Sequence, residues 1–267
     1  DKNVLWPDAP DRQARWAQLL TWLDPQPGEQ ILDLGCGNGA ATALIADRIG
    51  DNGRAVGLDH FPESLAKSRA QCFTTTPTPP SLVCGLGQAL PFANASFDAL
   101  LCVDVLEAIP DRESALAEMR RVLKPGGRIL LAHGDYESLA YAGADRDLTR
   151  RAVYAYANSK FQSYEAADGQ MGRRLWGMFS RAGFTDAEAR VVPLVNTEYR
   201  EPLVGWTLAQ FNADFVAAVS DLTQPEIDRW HQELAAASER GEYFFCANMY
   251  VCLGRKPVAK RIAKLRV

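Results

Sequence analysis

Apolar residues along this chain recur with two periods, and the alternation between them defines its elements. Between Asp11 and Leu23, Trp16, Leu19, Leu20 and Leu23 fall on one helical stripe, which Asp24-Pro-Gln-Pro-Gly28 terminates. A short apolar run from Gln30 to Leu34 predicts a strand, Ala40 to Ile49 a helix stopped by Gly50, Arg54 to Leu58 a second strand, and Pro62 to Gln71 a second helix of this alternation. A Thr/Pro-rich loop at Thr74 to Pro80 separates these from strands expected over 81–84 and 97–102. A helix over 111–123, apolar at Leu116, Met119 and Leu123, then leads to a strand over 128–132. Repeated βα units of this kind predict an α/β fold with a parallel, doubly wound, Rossmann-like sheet.

Beyond residue 132 the pattern changes. Residues 134–168 read as a mostly helical insertion, after which Met171, Leu175, Met178 and Phe179 mark a helix ended by Gly183, and Ala187 to Leu194 a strand. A second helical insertion over 199–242 contains Trp206 to Val219 and a capping box at Thr223-Gln-Pro-Glu226, before a last strand from Phe244 to Leu253. Six basic residues lie between Arg255 and Val267, which reads as a solvated tail, because one short cluster binds membranes only weakly.

A chain of 267 residues with 47% apolar content fits one α/β domain with insertions over 1–267, its N-terminal helical region at 1–27. A net charge of −4 gives no general electrostatic reason to bind nucleic acid. No apolar run reaches the ~18 residues of a membrane span, and the N-terminus shows no signal-peptide pattern. The chain begins with Asp1, so a segment upstream is conceivable. Six cysteines without a C-x-x-C pair predict a reduced, cytoplasmic protein, and three histidines without ligand spacing predict no metal site. Oligomeric state is not legible.

The candidate chemistry starts at Ile31-Leu-Asp-Leu-Gly-Cys-Gly-Asn-Gly39, where a strand runs into three closely spaced glycines and then a helix. Such a turn brings backbone against a ligand at a helix N-terminus, and a carboxylate follows about 20 residues on, at Asp59. A ligand-free tight turn is the competing reading, and the Gly35-x-Gly37-x-Gly39 spacing departs from G-x-G-x-x-G. Two further segments are Leu90-Pro-Phe-Ala-Asn-Ala-Ser-Phe-Asp98 and Leu123-Lys-Pro-Gly-Gly-Arg-Ile-Leu-Leu131. With the glycine turn, and in this order, they make residues 28 to 132 closely resemble the class I S-adenosylmethionine-dependent methyltransferases, of the small-molecule, ubiquinone/menaquinone-methyltransferase-like type.

The resemblance implies a seven-stranded sheet whose last strand is antiparallel, with both insertions roofing the site. It implies S-adenosylmethionine as cofactor and S-adenosylhomocysteine as product, held by Gly35, Cys36, Gly37 and Gly39 at the methionyl end and by Asp59 at the ribose. His60 either flanks the adenine or is a surface residue. The segment Gly85-Leu86-Gly87-Gln88-Ala89 departs from the family, because Leu86 stands where an adenine-binding carboxylate is usual; Gly87 backbone and Gln88 are the possible replacements. The Cys102 carbonyl is a candidate for the donor's ammonium, and Asp104 either binds substrate or caps the next helix. Glu107 reads as structural or solvent-facing.

His133 is the candidate general base, because an imidazole titrates near neutral pH, with Asp104, Asp135 or no base at all as the alternatives. Tyr136, Tyr154, Trp206, Phe211, Phe215 and Tyr243 are candidates for an aromatic acceptor pocket, although ordinary helix-core packing competes, and Asn248 either faces that pocket or pairs locally. The expected reaction moves a methyl group to a small aromatic or apolar metabolite. A non-catalytic binder of the same donor is the alternative, with a nicotinamide-dependent oxidoreductase behind it.

Overall fold

A computed structural model describes residues 10–75, 79–158, 168–210 and 220–258. Helix α1 (Pro10–Leu23) precedes β1 (Gln30–Leu34), α2 (Ala40–Ile49), β2 (Arg54–Asp59), α3 (Pro62–Thr75), β3 (Ser81–Cys84) and β4 (Phe97–Val103). Helix α4 (Arg112–Val122) leads into β5 (Leu123–Gly134), followed by β6 (Ala140–Ala142), α5 (Arg146–Asn158), α6 (Met171–Arg181) and β7 (Thr185–Asn196). Residues 204–210 are helical, and α7 (Gln224–Glu239) precedes β8 (Phe244–Arg255).

Strands β3, β2, β1, β4 and β5 pair in that order and in parallel, and β8 lies antiparallel between β5 and β7. Among the described residues the sheet has eight strands, one more than the seven expected. The additional one is β6, which pairs with the first residues of β8 from Ala140↔Cys246 to Ala142↔Phe244. The first insertion is therefore not helical throughout: it enters through a 3-10 turn at Tyr136–Ser138 and a short strand before α5 begins.

Each face of the sheet buries its own apolar cluster, and the two insertions build a third. The cluster beneath α4 and α6 includes Leu100, Met119, Leu131 and Phe179; that beneath α1 and α2 includes Leu20, Ile45, Leu101 and Leu130. The third joins Leu148, Val153 and Tyr156 from α5 to Leu208, Trp230, Leu234, Tyr243 and Phe245. Both insertions thus fold as one unit. Trp230 Nε1 donates to Thr149 Oγ1 at 2.9 Å, and Arg151 pairs with Glu226 at 2.8 Å. The capping box is present, with Thr223 N–H donating to the Glu226 carboxylate at 2.8 Å.

Arginine and lysine side chains tie the elements at the lower edge of the sheet. Arg128, the last residue of Lys124-Pro-Gly-Gly-Arg128, donates to the carbonyls of Leu23 and Asp24 and doubly to Glu29, which anchors the end of α1. The basic tail starts as structure: Lys256 Nζ donates to the carbonyls of Arg121 and Leu123, and Arg255 to that of Gly126. Residues 259–267 lie outside the described residues.

Phe245, fully buried, sits where β8 joins the insertion core to the sheet. Phe245→Ala is expected to lower unfolding free energy by about 3 to 5 kcal/mol, read by urea denaturation. A loss below 1 kcal/mol would mean that this core is loosely packed.

Candidate functional site

The glycine turn is shaped by three left-handed glycines, Gly35, Gly37 and Gly39, at φ 75, 53 and 81°. Gly35 and Cys36 donate to the Leu58 carbonyl at 2.7 and 3.0 Å, which lashes the turn to β2. A Cβ at Gly35 would lie 2.1 Å from Val105 Cγ2, so this position excludes any side chain. One at Gly37 would meet nothing within 4 Å, because the residue faces a cleft of about 850 Å³. That volume is ample for a nucleoside-sized molecule.

Asp59 ends β2 facing the same cleft. One carboxylate oxygen accepts Gly37 N–H and the other Phe61 N–H, both at 2.9 Å. Behind it Asp33 is buried, accepts from Thr42 Oγ1 at 2.6 Å, and has its pKa pushed up to about 6 by burial, the Thr42 bond opposing and Asp59 adding to the rise. Gly35, Cys36, Gly37, Asp59, His60, Gly87, Gln88 and Asp104 all line the cleft. The ring of His60 lies 3.6 Å from that of Phe61, and Leu86, half exposed, lines the same wall. Helix α1 closes one side with Arg12, Gln13 and Trp16.

Two expected cofactor contacts are placed elsewhere. Gly39 is the left-handed N-cap of α2 and does not line the cleft. Cys102 is 2% exposed and pairs with Leu34 on one side and Leu131 on the other, so it belongs to the sheet interior. Val103 and Asp104, the next two residues, reach the cleft instead.

A charged cluster occupies the carboxyl ends of β4 and β5. Asp104 has φ 55°, and its carboxylate accepts Gly134 N–H at 2.9 Å and lies 3.6 Å from His133 Nδ1. It does not cap the next helix; Asp111 does, accepting from Ser114 N–H at 3.0 Å. His133 is buried, and its Nε2 lies 3.8 Å from Glu107 Oε2. Glu107, expected to be structural or solvent-facing, is buried on the 3-10 turn Leu106–Ala108 that follows β4. Its carboxyl is pushed up to about 7, mainly by burial, with His133 opposing and Asp104 reinforcing the rise. Arg12 approaches from α1, and its guanidinium is pushed down to about 10 by burial and by Arg15.

Asp135 is removed from the list of free bases. Its side chain is fully buried, and Arg173 of α6 grips both oxygens at 2.6 Å. The aromatic candidates are dispersed. The ring of Tyr136 lies 6.5 Å from that of His133 and 5.1 Å from that of Tyr156, whereas Tyr154 is 65% exposed on the outer face of α5. Tyr243 belongs to the insertion core against Tyr199, and Trp206 is half-buried. Asn248 pairs locally, accepting from Cys246 Sγ at 3.8 Å through its side chain and from Asp135 N–H at 3.4 Å through its carbonyl. Phe211 and Phe215 lie outside the described residues.

Residues 32–131 match a methyltransferase domain family. An uncharacterized 37.1 kDa protein in transposon TN4556 of Streptomyces fradiae is 31% identical over 241 residues, 89% of this chain and 65% of that protein. A demethylmenaquinone methyltransferase of Shouchella clausii is 37% identical over 108 residues, 40% of this chain and 46% of that enzyme. The chain therefore spans between about half and two thirds of the length of these relatives. The phosphoethanolamine N-methyltransferase 2 of Haemonchus contortus, solved with S-adenosylhomocysteine, aligns with a TM-score of 0.58 at 17% identity, over 93% of this chain and 54% of that one. At that identity the likeness is one of fold.

Two outcomes are expected from the charged cluster. A carboxyl whose folded pKa is raised from 4.5 to about 7 contributes stability below pH 4.5 that is lost as pH rises through 7, because the folded state then holds the extra proton. Glu107→Gln should therefore leave thermal stability nearly unchanged at pH 4 and raise it at pH 8 by on the order of 2 kcal/mol; equal effects at both pH values would contradict the raised pKa. Arg173→Ala strands a buried carboxylate and should destabilise the fold by on the order of 3 kcal/mol in denaturant titrations. Asp135→Asn in that background should recover part of the loss.

Proposed function

We propose that this chain, whose residues 32–131 match a methyltransferase domain family, is a class I S-adenosylmethionine-dependent methyltransferase that transfers a methyl group from S-adenosylmethionine to a small aromatic or apolar metabolite by in-line displacement. The observation that carries the reading is the junction of the open Gly37 backbone and the Asp59 carboxylate in one cleft. The residues suit the donor: the open backbone at Gly37 suits its methionyl end, and a buried carboxylate at a strand's end suits a ribose diol. His60, Phe61 and Leu86 to Gln88 form the wall for a flat base. When bound, S-adenosylmethionine supplies a methyl carbon made electrophilic by its sulfonium.

The protein's own part is to hold two reactants in line and dry. Residues 35–37 and Asp59 fix one of them. Asp104 at the cleft and His133 behind it are the groups we assign to the acceptor side, His133 as its proton acceptor. The insertions 134–168 and 199–242, which share a core, serve as the acceptor cap of a single domain. We place the protein in a reducing, cytoplasmic setting without nucleic-acid partners, a reading supported by the free cysteines among the described residues and by the net charge of −4.

Leu86 favours a second reading, a binder of the donor that does not turn it over, because an exposed apolar side chain stands on the wall where a carboxylate would hold the adenine amino group. Conversion of bound donor to its demethylated product separates the two.

Asp59→Ala should weaken binding of both S-adenosylmethionine and S-adenosylhomocysteine by about 1.5 to 3 kcal/mol, the value of a hydrogen bond to a charged group. Titration calorimetry measures it. Unchanged affinity in a folded variant would remove Asp59 from the donor site and the reading with it.

A further inference from the structure

Two polar atoms at the ends of β4 and β5 are unsatisfied. His133 Nε2 and Glu107 Oε2 are buried, lie 3.8 Å apart, and have no hydrogen-bond partner among the described residues. Their residues are 1% and 8% exposed. The other ring nitrogen settles what Nε2 offers: His133 Nδ1 lies 2.8 Å from the Gly134 carbonyl oxygen. A carbonyl only accepts, so Nδ1 carries a proton, and in the neutral form of the ring Nε2 presents a lone pair. Atoms 3.8 Å apart are too distant to bond each other. A single oxygen about 2.8 Å from each reaches both.

We propose that His133 Nε2 and the Glu107 carboxyl form a clamp for one hydroxyl group of the methyl acceptor, which makes the acceptor a phenol, enol or alcohol and Glu107 a second residue in contact with it. The inference rests on the methyltransferase reading and adds the functional group of its acceptor. The acceptor hydroxyl donates to Nε2, and the Glu107 carboxyl, in its protonated form, donates its O–H to the same oxygen. On transfer the O–H bond breaks and its proton forms the second N–H of an imidazolium. The electron pair left on the acceptor forms the bond to the methyl carbon, while the carbon–sulfur pair of the sulfonium stays on sulfur.

The surroundings suit that charge. Asp104 lies 3.6 Å from Nδ1 on the far side of the ring, Asp168 faces Glu107, and Arg112 and Arg12 balance these carboxylates from α4 and α1. Tyr136 covers the ring edge-on, with Tyr156 behind it. Asp104, 30% exposed, stands between the buried ring and the cleft.

Phenol and toluene have nearly the same shape and differ in the hydroxyl, which makes them the probes. Each is titrated into the S-adenosylhomocysteine complex of the full chain while the imidazole nitrogens of His133 are followed by NMR. Phenol is expected to shift the Nε2 resonance and to bind at least about tenfold more tightly than toluene. In Glu107→Ala and His133→Asn that preference should collapse toward one, and Glu107→Gln, which keeps the shape, should retain part of it. Circular dichroism verifies the fold of each variant. Equal affinities for the two probes in the wild type, or a preference that survives both substitutions, would mean that the pair is bridged by structural water alone and would overturn the clamp. Failure of the wild type to bind S-adenosylhomocysteine would instead count against the donor site, and the comparison of probes is then made on the ligand-free chain.

Discussion

The Asp59 carboxylate, held by the N–H groups of Gly37 and Phe61, is the interaction on which the site depends. It joins the glycine turn after β1 to the end of β2, so the two segments that line the cleft are set by one side chain. A carboxylate that accepts two backbone donors is stabilised by hydrogen bonds from the turn itself. The same constraint explains Gly35, where only a residue without Cβ lets the turn pass Val105.

From that anchor the sheet distributes its charges by depth. Asp33, buried at the cleft floor, is satisfied by Thr42, whereas Asp104 is more exposed at the cleft and is tied to Gly134. Asp135 is consumed by Arg173, so the end of β5 is fastened to α6. His133 and Glu107 are the members of this group with bonding capacity left over. Buried capacity of that kind is costly in a core and is tolerated where a ligand uses it.

The insertions follow a different physical logic. They carry most of the aromatic residues that suggested an acceptor pocket, yet Tyr243 is buried in the apolar cluster that also holds Trp230. The cluster binds the two insertions to one another and, through Phe245 on β8, to the sheet. Asp11 adds a polar tie from α1, accepting from Asn196 Nδ2 at 2.8 Å and Val204 N–H at 3.0 Å. The cleft wall built by α1 and the insertion core are thereby mechanically connected.

The sequence by itself determined the elements of the sheet, the glycine turn, Asp59 and the capping box at Thr223, because each is a local signal: a period of hydrophobicity, a residue that alone tolerates positive φ, a cap read three residues apart. The short strand β6 was not legible, since three residues carry no period and pair only because the start of β8 lies beside them. Cys102 and Tyr154 were placed by strand count and residue type, and one residue of register or one turn of helix separates the cleft from the core and from solvent. Glu107, Arg12 and the Arg173 clasp on Asp135 were decided only by the tertiary structure. Their partners lie on other elements, and whether a charged side chain is buried, paired or exposed depends on what packs over it, which no local pattern encodes.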